Sequence, residues 1–167
     1  MASSPYKKAK AAAWAAFSRY IRTRDCLATT GSIEKGKCFT CGGIYPLEQL
    51  QAGHFLDGRM NGSLFDEQCV HAQCYACNVM KHGNKVIYTL KMQEMYGQEV
   101  VDRLLAKRYG VVKFTTPALK SYAENYKQRT KALEQEAKYG NPTTDTHLRG
   151  KATAVAAGSG TDDREAD

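Results

Sequence analysis

Two C-x-x-C pairs, Cys38-Phe-Thr-Cys41 and Cys74-Tyr-Ala-Cys77, stand 32 residues apart in a chain of 167 that has six cysteines in all. Such a turn brings both thiolates to one side of a tight backbone loop, and two turns together complete a tetrahedral sulfur site that zinc fills well. The chain is thereby obliged to fold back on itself across the intervening segment. A plain zinc ribbon has about 15–20 residues between its pairs, so the longer insert here houses something more. Cys26 and Cys69 are left over, and free cysteines most often act as small buried apolar residues.

The preference for metal over disulfides rests on compartment. No apolar run approaches the length of a membrane span, and the Ala-rich stretch from Ala11 lacks the continuous apolar region and cleavage site of a signal peptide. We therefore expect a cytoplasmic protein with no membrane partner. There, disulfides are rare and paired cysteines bind metal or do redox work. A thiol oxidoreductase ranks below metal binding, because neither pair sits in a thioredoxin-like strand and helix context.

Charge points to a class of partner. The formal net charge is +7, and residues 161–167 carry four acids and one base, which leaves 23 bases against 13 acids in residues 1–160. A field of that sign favours a polyanion, of which nucleic acid is the commonest, held by phosphate contacts and counterion release. The alternative is a basic surface kept for solubility. With 43% hydrophobic and 25% charged residues, wholesale disorder is excluded.

The pattern along the chain predicts one domain over residues 1–140, comprising a basic N-terminal helix (1–26), a zinc core (37–85) and a helical region (86–140), with a disordered tail at 141–167. Ser4-Pro5 reads as a helix start. After it Trp14, Phe17 and Ile21 share one face, and the helix should end near Asp25, with a loop from Ala28 to Ser32. Between the cysteine pairs the spacing predicts a strand at Leu50–Phe55, an irregular loop through Asp57–Ser63, a second extended stretch near Leu64–Val70 and a helix from about Tyr75. Three further helices are predicted, Val86–Tyr96 closed by Gly97, Glu99–Tyr109 closed by Gly110, and a long one from Thr116-Pro117. In the last, Leu119, Tyr122, Tyr126 and Leu133 form a stripe, which reads as packing against other helices in preference to a coiled-coil dimer.

The insert contains Ala52-Gly53-His54-Phe55, and the second cysteine pair runs directly into Asn78 and then His82. On a helix beginning at that pair, positions 78 and 82 are i and i+4 and lie on one face. Stacked donors of this kind can share a hard divalent cation that keeps waters on its other positions. A histidine at the end of the preceding strand could then deprotonate a water lined up on a phosphorus. Taken singly, a lone histidine is more often structural, and an asparagine after a turn is often a cap.

The combined run Cys38-Phe-Thr-Cys41, Ala-Gly-His54-Phe, Phe-Asp-Glu-Gln-Cys69-Val-His-Ala-Gln-Cys74-Tyr-Ala-Cys77-Asn78 and His-Gly-Asn84 resembles the HNH, or His-Me finger, nucleases, and most closely the bacteriophage NinG/Rap recombination endonucleases. The likeness covers roughly residues 14–106, including Arg24-Asp25 and Tyr96-Gly97-Gln98-Glu99. The resemblance implies an α+β fold, in which a small ββα-metal motif stapled by a four-cysteine zinc site is flanked by several α-helices. It also implies structure-selective cleavage of branched DNA such as Holliday junctions and D-loops. His54 takes the place of the family's general base and Asn78 that of its helix metal ligand, while Cys38, Cys41, Cys74 and Cys77 take the zinc positions. Magnesium or manganese would serve catalysis.

There are two departures. Many HNH enzymes carry Asp or His directly before the base, where this chain has Gly53; Asp57, His71 or His82 are candidates to replace it, with His82 first by helix geometry. Cys69 stands where the motif's central asparagine usually orients the base histidine. Candidate DNA contacts are Lys7, Lys8, Lys10, Arg19, Arg22, Arg24, Arg59, Lys81 and Lys85. Two functions are thus in play, a metal-dependent endonuclease on branched or duplex DNA and a zinc-stapled DNA-binding module of the same fold without catalysis. Homodimerisation and assisting phage or host recombination proteins are further expectations for the first.

Overall fold

The computed structural model describes residues 4–56 and 61–139. The predicted tail at 141–167, and with it Asp57 and Arg59, lies outside the described residues. Helix α1 spans Pro5–Thr30, opened by the Ser4 hydroxyl, which accepts from the Lys7 backbone N–H at 3.3 Å. It runs five residues beyond the expected end near Asp25. Thr29 and Thr30 turn their hydroxyls back to the carbonyls of Asp25 (2.6 Å) and Cys26 (3.0 Å), so the last turn satisfies its own side chains. Gly31 then closes the helix at φ +69°, a left-handed backbone that glycine adopts without strain.

Strands β1 (Lys35–Lys37) and β2 (Ile44–Pro46) form a short antiparallel pair around the first cysteine turn. Strand β3 (Leu50–His54) pairs antiparallel with β4 (Val70–Cys74), with Gln51 opposite Gln73, Gly53 opposite His71 and His54 opposite Val70. β4 therefore begins where the second extended stretch, expected at Leu64–Val70, was to end. Residues 61–69 are instead a series of turns, in which Leu64 N–H donates to Asn61 O, Asp66 N–H to Ser63 O and Cys69 N–H to Asp66 O. The Asp66 carboxylate adds its own turn bond to the Gln68 N–H at 3.0 Å.

The helix predicted from Tyr75 is also corrected. Residues Ala76–Met80 make a single π-helical turn, and the backbone then passes through His82 at φ +47° and Asn84 at φ +49°. Gly83 N–H donates to both Cys77 O and Asn78 O, which ends the turn. Helix α2 follows at Lys85–Tyr96, α3 at Gln98–Ala106 with a short 3-10 turn to Tyr109, and α4 at Thr116–Tyr139. α3 thus stops three residues short of the expected α-helical end, the remainder tightening into the 3-10 turn before Gly110.

The core explains the layering. One cluster joins Phe17 and Ile21 of α1, Val70 of β4, Tyr88 and Met92 of α2, Leu104 of α3 and Tyr126 of α4. Tyr126 meets Phe17 at 4.9 Å and Tyr20 at 5.3 Å between ring centroids, so the α4 stripe packs on α1 as anticipated. Arg129 of α4 extends that contact, pairing with Glu67 and lying 4.2 Å over the Tyr20 ring. The β3–β4 hairpin is held between α1 on one face and α2 on the other, with the Tyr88 hydroxyl donating to Gly53 O at 3.0 Å.

A buried polar clamp ties α1 to β4. Asp25 accepts from the Ala72 backbone N–H (2.6 Å) and from Arg24 Nε (2.7 Å), while Arg24 donates onward to the carbonyls of Glu67 (3.0 Å) and Val70 (3.1 Å). Burial alone would raise the Asp25 carboxyl, but Arg24, His71 and the Ala72 N–H together outweigh it and hold the group at about 2. Burial also pushes His71 below its ordinary value.

We predict that Asp25→Ala costs about 3–5 kcal/mol, because it strands the buried Arg24 charge without its partner. The carboxylate's contribution is full above the unfolded-state value near 3.8 and fades as pH drops toward about 2. Denaturant unfolding should therefore show the gap between wild type and Asp25→Ala narrowing over that descent. An equal gap at all pH values would remove the ion pair from the clamp.

Candidate functional site

Four sulfurs converge where the first turn meets the end of β4. The ligand atoms of Cys38, Cys41, Cys74 and Cys77 all lie within 4.8 Å of one another, with Cys41 and Cys74 at 3.9 Å. Tetrahedral zinc with bonds of about 2.3 Å needs sulfurs about 3.8 Å apart. The set matches the closed four-thiolate coordination of structural zinc, and it is the one group of three or more metal-binding acids, histidines or cysteines found close together among the described residues.

Local backbone forms this arrangement. Cys38 N–H donates to Gly43 O at 2.8 Å and Gly42 N–H to Cys38 O at 2.9 Å, which curls the first turn. Burial raises the Cys38 thiol, yet backbone N–H groups of Cys41 and Cys74 and the Thr40 hydroxyl more than offset it, bringing it down to about 6. Cys77 goes the other way, pushed up to about 12 chiefly by burial. An unneutralised cluster cannot ionise all four sulfurs, whereas a divalent cation removes that penalty. Asn84 Nδ2 approaches Cys77 Sγ at 4.0 Å and Thr40 Oγ1 approaches Cys38 Sγ at 3.5 Å, supplying outer contacts.

The candidate base ends β3. His54 is 9% exposed, its ring stacked on Trp14 of α1 with centroids 5.0 Å apart and planes 20° apart. Its Nε2 lies 3.4 Å from Leu64 O, a carbonyl that can only accept, so that contact places a proton on Nε2. A backbone carbonyl thus takes up the orienting contact expected of position 69. Cys69 is buried, with its own carbonyl accepting from the Phe55 N–H at 2.7 Å.

Asn78 sits in the π-helical turn. Its Nδ2 donates to Gln51 Oε1 at 2.6 Å, which turns Oδ1 toward Gly53. Neighbouring strand positions project to opposite faces: position 53 points at Asn78, and the His54 ring at Trp14. The helical stacking expected of Asn78 and His82 does not form, because residue 82 lies past the end of the turn in a left-handed conformation, and its side chain is exposed.

His71 belongs to the clamp in place of a metal site. Its Nδ1 is 3.5 Å from Asp25 Oδ2 and its Nε2 is 3.3 Å from the Tyr96 hydroxyl, while Phe39 stacks on the ring at 4.1 Å. With both nitrogens engaged, neither faces the cysteines or Asn78. Several bases named as DNA contacts are likewise internal. Arg24 holds the clamp, Arg22 donates to the carbonyls of Leu47 and Leu50 (3.3 Å each), and Lys85 donates to those of His54 and Phe55 (2.8 Å each). Lys10 bonds Asn61 and Arg19 pairs with Glu134. Lys7, Lys8 and Lys81 are exposed.

Sequence reasoning missed Gln73. It is fully buried in β4, and its Nε2 donates to Thr40 Oγ1 (3.1 Å) and Gly83 O (2.9 Å). Had the strand been placed at Val70–Cys74, period-two alternation would have put Gln73 beside Gln51 and two positions from His71 on one face.

A family model described as "NinG: Bacteriophage Lambda NinG protein" matches residues 2–136. Protein ninG of Salmonella phage P22 is 32% identical over 121 residues, covering 71% of this chain and 54% of that protein. The proteins of the same name from Escherichia phages 933W and lambda are each 30% identical over 119 residues, again 71% of this chain, and 54% and 53% of theirs. The chain spans about half the length of the curated relatives it matches. No solved structure matches.

Elemental analysis of the purified chain should give one zinc per molecule. Cys74→Ser should lose it along with much of the stability, since a four-thiolate site supplies folding free energy. Cys69→Ser should retain it. Zinc loss in Cys69→Ser would mean that the ligand set is different.

Proposed function

Because the chain belongs to the NinG family of bacteriophage lambda, we propose that it is a metal-dependent DNA endonuclease of the HNH type that cleaves branched recombination intermediates, Holliday junctions or D-loops. The observation that carries this reading is the order of parts: an antiparallel hairpin whose first strand ends in His54, a four-cysteine cluster whose pairs flank that strand, and a turn that carries Asn78 directly after the last cysteine. That order matches the ββ-metal half of the motif. An α-helix follows only at Lys85.

In this reading His54 Nδ1 accepts the proton of a water aligned on a phosphodiester, with Trp14 and the Leu64 carbonyl fixing the ring plane and tautomer. Asn78 Oδ1 is a hard neutral oxygen suited to magnesium or manganese. Such an ion, when bound, would stabilise the charge that builds on the phosphate and leaving oxygen. The exposed Lys7, Lys8 and Lys81 supply backbone contacts, so selection follows DNA shape more than base sequence. No helix among the described residues is long and apolar enough to cross a membrane, and we assign the work to the cytoplasm of the host cell. A homodimer cutting both strands, with phage or host recombination proteins assisting, would complete the activity.

A zinc-stapled DNA-binding module without catalysis is the second reading. Two observations favour it: position 53, which faces Asn78, has no side chain, and the His54 ring turns to Trp14.

The separating experiment incubates the zinc-loaded chain with a labelled four-way junction, with and without magnesium or manganese. We predict metal-dependent nicking that His54→Ala abolishes while junction binding stays within a few-fold, because binding is spread over many bases and water activation rests on one imidazole. Binding with no nicking at any metal concentration would establish the module.

A further inference from the structure

Gln73 is wholly buried, and the placement of its amide is fixed by chemistry. Gly83 O can only accept a hydrogen bond, so the group facing it at 2.9 Å must be Nε2, and the Thr40 hydroxyl takes the other Nε2 proton at 3.1 Å. Oε1 is thereby turned away from both and has no hydrogen-bond partner among the described residues. Buried amide oxygens are almost always paired with a donor, a water or an ion.

The direction of Oε1 narrows the choice. A Cβ added at Gly53 would stand 2.0 Å from Gln73 Oε1 and 2.9 Å from Asn78 Oδ1. Two acceptor oxygens, from different elements, thus converge beside the α-carbon of Gly53. Asn78 Nδ2 gives one proton to Gln51 Oε1, which leaves Oδ1 as the amide atom turned to Gly53. Facing acceptors repel unless a donor or a cation stands between them, and neutral carbonyl oxygens are ligands that a hard divalent cation takes along with its waters.

We propose that Gln73 Oε1 and Asn78 Oδ1 together bind the divalent cation, Gln73 replacing the ligand that position 53 lacks. The proposal rests on the reading that places that ion at Asn78, and it names the second protein ligand. It also accounts for Gly53: any side chain there would displace the Gln73 amide, so the glycine and the glutamine form a matched pair. Through Thr40, which touches both Gln73 Nε2 and Cys38 Sγ, the ligand is braced against the four-cysteine cluster.

The test titrates the zinc-loaded full chain with Mn²⁺ and reads the free ion by its electron paramagnetic resonance signal, so no cleavage is involved. Wild type should bind one Mn²⁺ per chain. Gln73→Ala and Asn78→Ala should each weaken binding about tenfold or more. Gly53→Asp combined with Gln73→Ala should recover it, as the carboxylate grows into the vacated space. Zinc content and thermal melting verify each fold; if Gln73→Ala fails to fold, Gly53→Ala, which keeps Gln73 but pushes its oxygen aside, should show the same weakening. Unchanged Mn²⁺ affinity in a folded Gln73→Ala or Gly53→Ala chain, with Asn78→Ala impaired, would overturn the role of Gln73 and leave the ion at Asn78. Wild type binding no Mn²⁺ would overturn both.

Discussion

Four sulfurs held within 4.8 Å of one another are a constraint that the middle of this protein is built to meet. Two of them come from a turn between β1 and β2, one is the last residue of β4, and one lies in the π-helical turn that follows. Closing that set fixes where β4 stops and how the chain leaves it, and so sets the position of Asn78. The same closure anchors Thr40, which bonds Gln73 and through it the carbonyl of Gly83. The hairpin and the turn are thus connected to the cysteines by side-chain bonds as well as by backbone.

A second set of interactions holds the hairpin from the other direction. α1 contributes Trp14 to the His54 ring and the Arg24–Asp25 pair to the backbone of β4. Buried charge of this kind is costly to leave unpaired, so the clamp specifies one seating of the hairpin against α1. It also changes the meaning of the basic composition. Arg22, Arg24 and Lys85 spend their charge on carbonyls inside the fold, which leaves the exposed bases to meet a polyanion, Lys7 and Lys8 at the start of α1 and Lys81 beside the cysteine cluster among them.

The parts legible in the sequence were those whose signal is local. Two C-x-x-C pairs named their four sulfurs, Ser4-Pro5 and Thr116-Pro117 marked helix starts, and the Leu119–Tyr126 stripe found its partner on α1. β4 was not legible because it is buried on both faces, so Val-His-Ala-Gln-Cys shows no alternation between apolar and polar residues; its polar members are paid for by long-range bonds to Asp25, Tyr96, Thr40 and Gly83. The turn at residues 76–83 was missed for a related reason. Its apolar and polar residues suit a helix, and what breaks it is the tertiary demand of the cysteine cluster together with left-handed residues at His82, Gly83 and Asn84. His71 looked like a ligand because only the folded structure brings Asp25 and Tyr96 to its two nitrogens.

If the cysteine cluster organises the hairpin, removing its metal should release the strands while the α1–α4 packing, which rests on Phe17, Tyr20, Tyr126 and Arg129, persists. Amide hydrogen exchange read segment by segment, before and after zinc is stripped by a chelator, measures this directly. Loss of protection across Leu50–His54 and Val70–Cys74, with α1 and α4 still protected, is the predicted result. Strands that exchange at the same slow rate with and without zinc would contradict it.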